Sequence, residues 1–173
     1  MKSRRSRRAV DNSKRECKSF EPNQTVLHVD DDANDAELLR AATRKAHLHI
    51  KLYSLDAGEQ AIDYLTGIGR YADRRRFQLP ALVLLDLKMP RTSGFDVLKW
   101  IRSRQEFASI PVVIFSGSHL ADDMNLAFQN GANSYFIKPL AFDALVQVVR
   151  GINSLWLNHS SRRGKSVEGH ASK

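Results

Sequence analysis

The chain has 173 residues, 42% of them hydrophobic and 27% charged, which is enough for one well-buried domain and too few for two, so no separate output domain is expected. Its formal charge of +8 is unevenly placed: residues 1–24 hold eight Lys/Arg against three acids, residues 158–173 hold four against one, and residues 25–157 hold fifteen of each. The excess belongs to two polar tails whose composition predicts disorder, and this gives a basic tail over 1–24, a folded domain over 25–157 and a second basic tail over 158–173.

The basic start, Met1-Lys-Ser-Arg-Arg-Ser-Arg-Arg8, is followed by no apolar core, which argues against a secretory signal. No stretch approaches the roughly 18 apolar residues of a membrane span. Cys17 is the single cysteine, so an internal disulfide is excluded and a cytoplasmic location is expected. The tails lack interleaved aromatics and no recognition helix is left over, so specific DNA binding is not expected; their Lys/Arg runs would supply only salt-sensitive, sequence-independent affinity.

Between the tails, strands and helices alternate. Residues 25–29 read as a strand and 34–46 as a helix with Ala36, Leu39, Ala42, Thr43 and Ala46 near one face. Residues 49–53 read as a second strand. The helix over 56–66 starts on an Asp-x-x-Glu pattern, Asp56 and Glu59, that suggests a cap. A third strand covers 81–85, a helix 94–104, a fourth strand 111–115 and a short helix 121–130, which stops at Asn130-Gly131. The fifth strand covers 134–137, and a last helix over 141–157 carries Leu145, Val148, Val149, Ile152 and Trp156. Five strands alternating with five helices predict a doubly wound α/β domain, a flavodoxin-like five-stranded parallel sheet in the order 2-1-3-4-5. The connection over 67–80, with Tyr71 and Arg74-Arg75-Arg76, exceeds the usual length and is either a functional loop or a solvated insert.

One carboxylate stands out. Asp86 ends the apolar run Ala81-Leu-Val-Leu-Leu, and ligands of open parallel sheets gather at the carboxyl ends of strands. A central first strand would bring Asp30-Asp31-Asp32 beside it. Unit charges ~4 Å apart at an effective dielectric of ~20 repel by ~4 kcal/mol per pair, and a hard divalent cation relieves that cost. Mg²⁺ suits a supply of one or two carboxylates, a carbonyl and waters. Asp32 is the acid best placed to cap the following helix instead.

Ser116 and Gly117 follow the fourth strand and Lys138 the fifth. The combination suits phosphoryl transfer to a carboxylate nucleophile, with Mg²⁺, Ser116 and Lys138 sharing the phosphoryl oxygens. His28, His47 and His49 are read as packing or surface residues.

Residues 25–157 resemble the receiver domain of two-component response regulators. The resemblance rests on Val29-Asp30-Asp31-Asp32, Leu85-Asp86-Leu-Lys-Met-Pro90 with Gly94, Phe115-Ser116-Gly117, Gly131-Ala-Asn-Ser-Tyr135 and Ile137-Lys138-Pro139. It implies that Asp86 is the phosphoacceptor, and that Asp30 and Asp31 hold the metal together with Asp86 and the backbone carbonyl of Lys88. It further implies that Ser116 and Lys138 contact the phosphoryl group, that Ser116 and Tyr135 act as switch residues, and that the Lys138–Pro139 bond is cis.

The loop over 67–80, the run ending at Pro139 and Leu155-Trp156-Leu157 look most like the small single-domain regulators that partner phytochrome-type histidine kinases. That likeness implies a histidine kinase as partner and a homodimer through helix 4, strand 5 and helix 5, with Trp156 either anchoring the dimer or capping the core. A relay or phosphate-sink receiver is the alternative role. Hydrolases that use an aspartyl phosphate generally place a second acid two residues after the nucleophile, and Lys88 occupies that position here. Lys88 is instead expected to tune the lifetime of the phosphoryl group.

Overall fold

The computed structural model describes residues 24–157, so the expectations for both tails and for Cys17 lie outside the described residues. Five parallel strands, β1 (Thr25–Val29), β2 (Lys51–Leu55), β3 (Leu82–Leu85), β4 (Val112–Ser116) and β5 (Ser134–Ile137), form one sheet in the order β2-β1-β3-β4-β5. The helices are α1 (Ala33–Lys45), α2 (Gly58–Thr66), α3 (Gly94–Arg102), α4 (Ala121–Gln129) and α5 (Phe142–Ile152). This is the expected doubly wound architecture.

The three central strands are buried along their whole length, while β2 and β5 at the edges are not. Alternation along a strand sends neighbours to opposite faces. Leu27 and Val29 thus join Tyr64, Leu65, Val97 and Ile101 in a core under α2 and α3, while Val26 joins Leu39, Leu145 and Val149 under α1 and α5. Register then aligns the strand ends: Val29 pairs with Leu85 and Ser116 with Ile137, so Asp30, Asp86, Ser116 and Lys138 leave the sheet along one edge.

Asp32 caps α1 as expected, accepting from the Asn34 backbone N–H at 2.7 Å. Asn130 and Gly131, the latter at φ 90°, close α4. Several expectations need correction. β2 begins two residues later than read. Asp56 does not cap α2: Ala57 occupies the cap position, the Asp56 carboxylate accepts from the Gln60 side-chain amide, and Glu59 accepts from the Thr92 hydroxyl at 2.8 Å. α5 ends at Ile152, where a single π-helical turn (Asn153–Leu157) continues the chain.

The Lys138–Pro139 bond is trans, since no cis peptide occurs among the described residues. Trans is the default for X–Pro by about 0.5–1 kcal/mol.

The connection over 67–80 is a packed element. Tyr71 is buried in a turn of 3₁₀ helix, and its ring lies 5.2 Å from those of both Tyr64 and Phe77. The Arg74 guanidinium donates to the carbonyls of Tyr64, Leu65 and Phe77, tying the loop to the end of α2.

Candidate functional site

Three carboxylates meet at the carboxyl edge. Oxygens of Asp30, Asp31 and Asp86 all lie within 4.8 Å of one another, with Asp30 and Asp86 buried and Asp31 exposed. Asp30 and Asp86 follow buried strands directly, and their burial is inherited from the sheet. Each fixes one oxygen on a backbone N–H: Asp30 Oδ1 accepts from Asp32 at 3.1 Å and Asp86 Oδ1 from Leu87 at 2.7 Å. Asp31 is the exposed member of the three. A set of hard oxygen donors this close together suits a divalent cation of the Mg²⁺ class.

Lys138 supplies the balancing charge. Its ammonium lies 2.7 Å from Asp30 Oδ2 and 3.4 Å from Asp86 Oδ2. Burial acts to lower its pKa, but the carboxylates of Asp30, Asp35 and Asp86 outweigh this and raise it above the ordinary lysine value, so it is a cation at neutral pH. Burial likewise acts to raise the Asp30 pKa, and His28 and Lys138 overcome it, leaving Asp30 below the ordinary carboxylate value.

Two residues of this constellation escaped the sequence reading. Asp35, in the first turn of α1, accepts from Lys138 Nζ at 2.7 Å across 103 residues of sequence. An acid there is already explained by the helix dipole, so nothing in the sequence marks its reach. His28 was read as packing, and it is fully buried, but its Nε2 also lies 3.3 Å from Asp30 Oδ2. Its spacing of two residues from Asp30, which directly follows the same strand, is the signal that could have found it, because i and i+2 share a face in extended chain.

Ser116 is buried at the end of β4, with Oγ accepting from the Ser118 N–H at 3.4 Å. Tyr135 is half-buried on β5 and donates its hydroxyl to the Ser118 carbonyl at 2.9 Å. Burial raises the Tyr135 pKa, as do the charges of Asp123 and Asp86. Lys88 is exposed two residues beyond Asp86. Trp156 is half-buried and packs against the core under α1 and α5, which fits a capping role. Exposed apolar side chains occur on α4, β5 and α5: Leu126 and Phe128, Ile137, and Phe142.

A doubly wound sheet whose carboxyl edge joins an acidic cluster, a hydroxyl and a lysine across four strands defines a phosphoryl-receiver class of site. The chain belongs to the response regulator receiver domain family, whose model matches residues 26–150. It is 35% identical over 142 residues to the probable methanogenesis regulatory protein FilR2 of Methanothrix harundinacea, covering 80% of this chain and 87% of that one. Among solved structures it is similar to the phosphorylated cyanobacterial phytochrome response regulator RcpA, with a TM-score of 0.72 and 31% identity over 79% of this chain and 96% of RcpA. It is also similar to the Mn²⁺-bound form of response regulator Rcp1 of Synechocystis, with a TM-score of 0.69 and 28% identity over 84% of this chain and 99% of Rcp1. Receiver domains accept phosphoryl groups from histidine kinases and bind a divalent metal in their acidic pocket; among the described residues no helix is long and apolar enough to cross a membrane.

Proposed function

We propose that Asp86 accepts a phosphoryl group from the phosphohistidine of a kinase, and that the chain signals through the change in surface that follows. The observation that carries this reading is the Asp86 carboxylate: Oδ1 is pinned on the Leu87 N–H, and Oδ2 faces the Lys138 ammonium at 3.4 Å. In the transfer an Asp86 oxygen bonds phosphorus as the phosphorus–nitrogen bond breaks, and the imidazole leaves as a neutral base once protonated.

Asp30, Asp31, Asp86 and the Lys88 carbonyl would hold Mg²⁺, which supplies positive charge to the transferring group. Lys138 binds a phosphoryl oxygen as a fixed cation, and the Ser116 hydroxyl donates to another. The likeness to phytochrome response regulators favours a phytochrome-type histidine kinase as donor and a cytoplasmic location. Exposed apolar side chains on α4, β5 and α5 favour a homodimer through those elements. Tyr135 and Ser116, linked through Ser118, form the switch, and the exposed cation of Lys88 tunes the lifetime of the phosphoryl group.

Incubation with acetyl phosphate or a phosphorylated kinase in Mg²⁺, followed by intact-mass measurement, tests the central assignment. The wild type gains one phosphoryl group and Asp86→Asn gains none; uptake by Asp86→Asn overturns the reading.

A further inference from the structure

Lys138 has three N–H donors and meets three carboxylates, each from a different element. Asp30 at the end of β1 and Asp35 in the first turn of α1 each lie 2.7 Å from Nζ, and Asp86 at the end of β3 lies 3.4 Å away. The contact with Asp35 has full hydrogen-bond geometry. Asp30 Oδ2, although close, lacks that geometry and stands as a buried oxygen without a hydrogen-bond partner. Lys138 lines a cleft together with Asp35, Leu38, Phe115, Pro139 and Leu145, and the Asp35 side chain is about one-third exposed.

We propose that Asp35 is a positioning residue for Lys138, holding the ammonium so that its remaining donor faces the oxygen of Asp86 that carries the phosphoryl group. This rests on Asp86 being the acceptor. A lysine side chain loses about 2 kcal/mol of rotamer freedom when fixed, and a group that must grip an anion does so best when that cost is met beforehand. Asp30 alone gives the ammonium one 2.7 Å ionic contact, about which it remains free to turn. Asp35 supplies the second point, and two points on a tetrahedral ammonium determine where the third donor aims. Asp35 also joins the start of α1 to the residue that follows β5, and Lys138 is its partner there.

The test uses the full chain and beryllium fluoride, a phosphoryl mimic that binds a carboxylate, titrated in Mg²⁺ with isothermal titration calorimetry as readout. Asp35→Ala weakens beryllium fluoride binding about tenfold, the scale of one charge-assisted hydrogen bond, while the affinity for Mg²⁺ alone stays within about twofold of wild type. Asp35→Asn, which keeps an acceptor at the same place and preserves the fold if the alanine variant does not, weakens it by about threefold. In a Lys138→Ala background Asp35→Ala adds nothing, an outcome that a merely structural role for Asp35 would not produce. Binding by either Asp35 variant that matches or exceeds wild type, or equal losses with and without Lys138, overturns the proposal. Because acetyl phosphate labelling of Asp86 is measured separately, failure here leaves the phosphoacceptor assignment standing, and failure there is recognised on its own.

Discussion

A Cβ placed on Gly94 would lie 2.0 Å from the carbonyl oxygen of Asp86 and 2.8 Å from Leu87 Cα. The start of α3 therefore presses against the backbone that carries the proposed phosphoacceptor, at a distance only glycine allows. Both atoms Cβ would strike belong to the main chain, so no rotamer change relieves the clash. Gly94→Ala is expected to destabilise the fold by about 1–3 kcal/mol, the range for overpacking a close-packed site. It should also slow phosphorylation, because the Leu87 N–H that pins Asp86 Oδ1 moves with the displaced backbone. Urea denaturation gives the first effect and acetyl phosphate labelling the second; wild-type values for both would remove the argument.

The same helix is held by a capping box that connects stability to pH. Ser93 donates from its hydroxyl at 2.6 Å and its N–H at 3.0 Å to Asp96 Oδ2, and Ser93 Oγ accepts from the Asp96 N–H at 3.3 Å. The Ser93 hydroxyl first, and its N–H second, hold the Asp96 pKa below the ordinary value of 3.8. A lowered folded pKa means that this contribution is present above the unfolded value and is lost as pH falls through the folded one. Ser93→Ala should cost about 1 kcal/mol at pH 7. Its deficit against wild type should narrow as pH drops below the ordinary aspartate range, a trend that urea titrations at pH 7, 4 and 3 would detect.

That box also marks a boundary of what was legible. The sequence pattern suggests a cap at Asp56-x-x-Glu59, but that glutamate accepts from Thr92, 33 residues away, and the box that forms is at Ser93 and Asp96. Local capping rules describe isolated helix ends, and a tertiary hydrogen bond overrides them. β1, β3 and β4 were readable because both of their faces are buried, so apolar runs are obligatory. β2 was misplaced by two residues because an edge strand with half-exposed side chains, Lys51 to Ser54, carries little pattern. Asp30, Asp86, Ser116 and Lys138 were readable because each ends a strand. Asp35 was not, since its place on α1 is ordinary for an acid and only the packed structure shows Lys138 opposite.

The acidic cluster should trade stability for metal binding. Asp31 is exposed yet within 4.8 Å of the Asp30 and Asp86 carboxylates, so in the absence of a cation it adds repulsion and little packing. Asp31→Asn in chelator is expected to unfold at the same temperature as wild type or higher, with a gain of ~0.5–2 kcal/mol typical of relieving a functional strain. Adding Mg²⁺ to about 100 times its dissociation constant should stabilise wild type by about 2.7 kcal/mol through mass action and the variant by far less. Paired thermal melts in chelator and in Mg²⁺ decide it; an equal Mg²⁺ shift in both proteins would remove Asp31 from the metal site.

The bond from the Tyr135 hydroxyl to the Ser118 carbonyl sets the resting arrangement of the connection between β4 and α4. Ser118 is buried, its hydroxyl donates to Asp123 in the first turn of α4, and its N–H donates to Ser116 Oγ. Ser118 therefore touches the hydroxyl proposed to bind the phosphoryl group, the hydroxyl of the proposed switch residue and the helix of the proposed dimer face. An inward movement of Ser116 toward a phosphoryl oxygen would pull on Ser118, and the Tyr135 bond opposes that pull. Tyr135→Phe keeps the ring and deletes the bond, at an expected cost of about 0.5–1.5 kcal/mol. The amides of residues 117–119 should exchange faster in the unphosphorylated variant while those of β3 stay protected. Hydrogen exchange read by mass spectrometry separates this from general loosening: faster exchange throughout the sheet would mean that Tyr135 serves the core and does not restrain the loop.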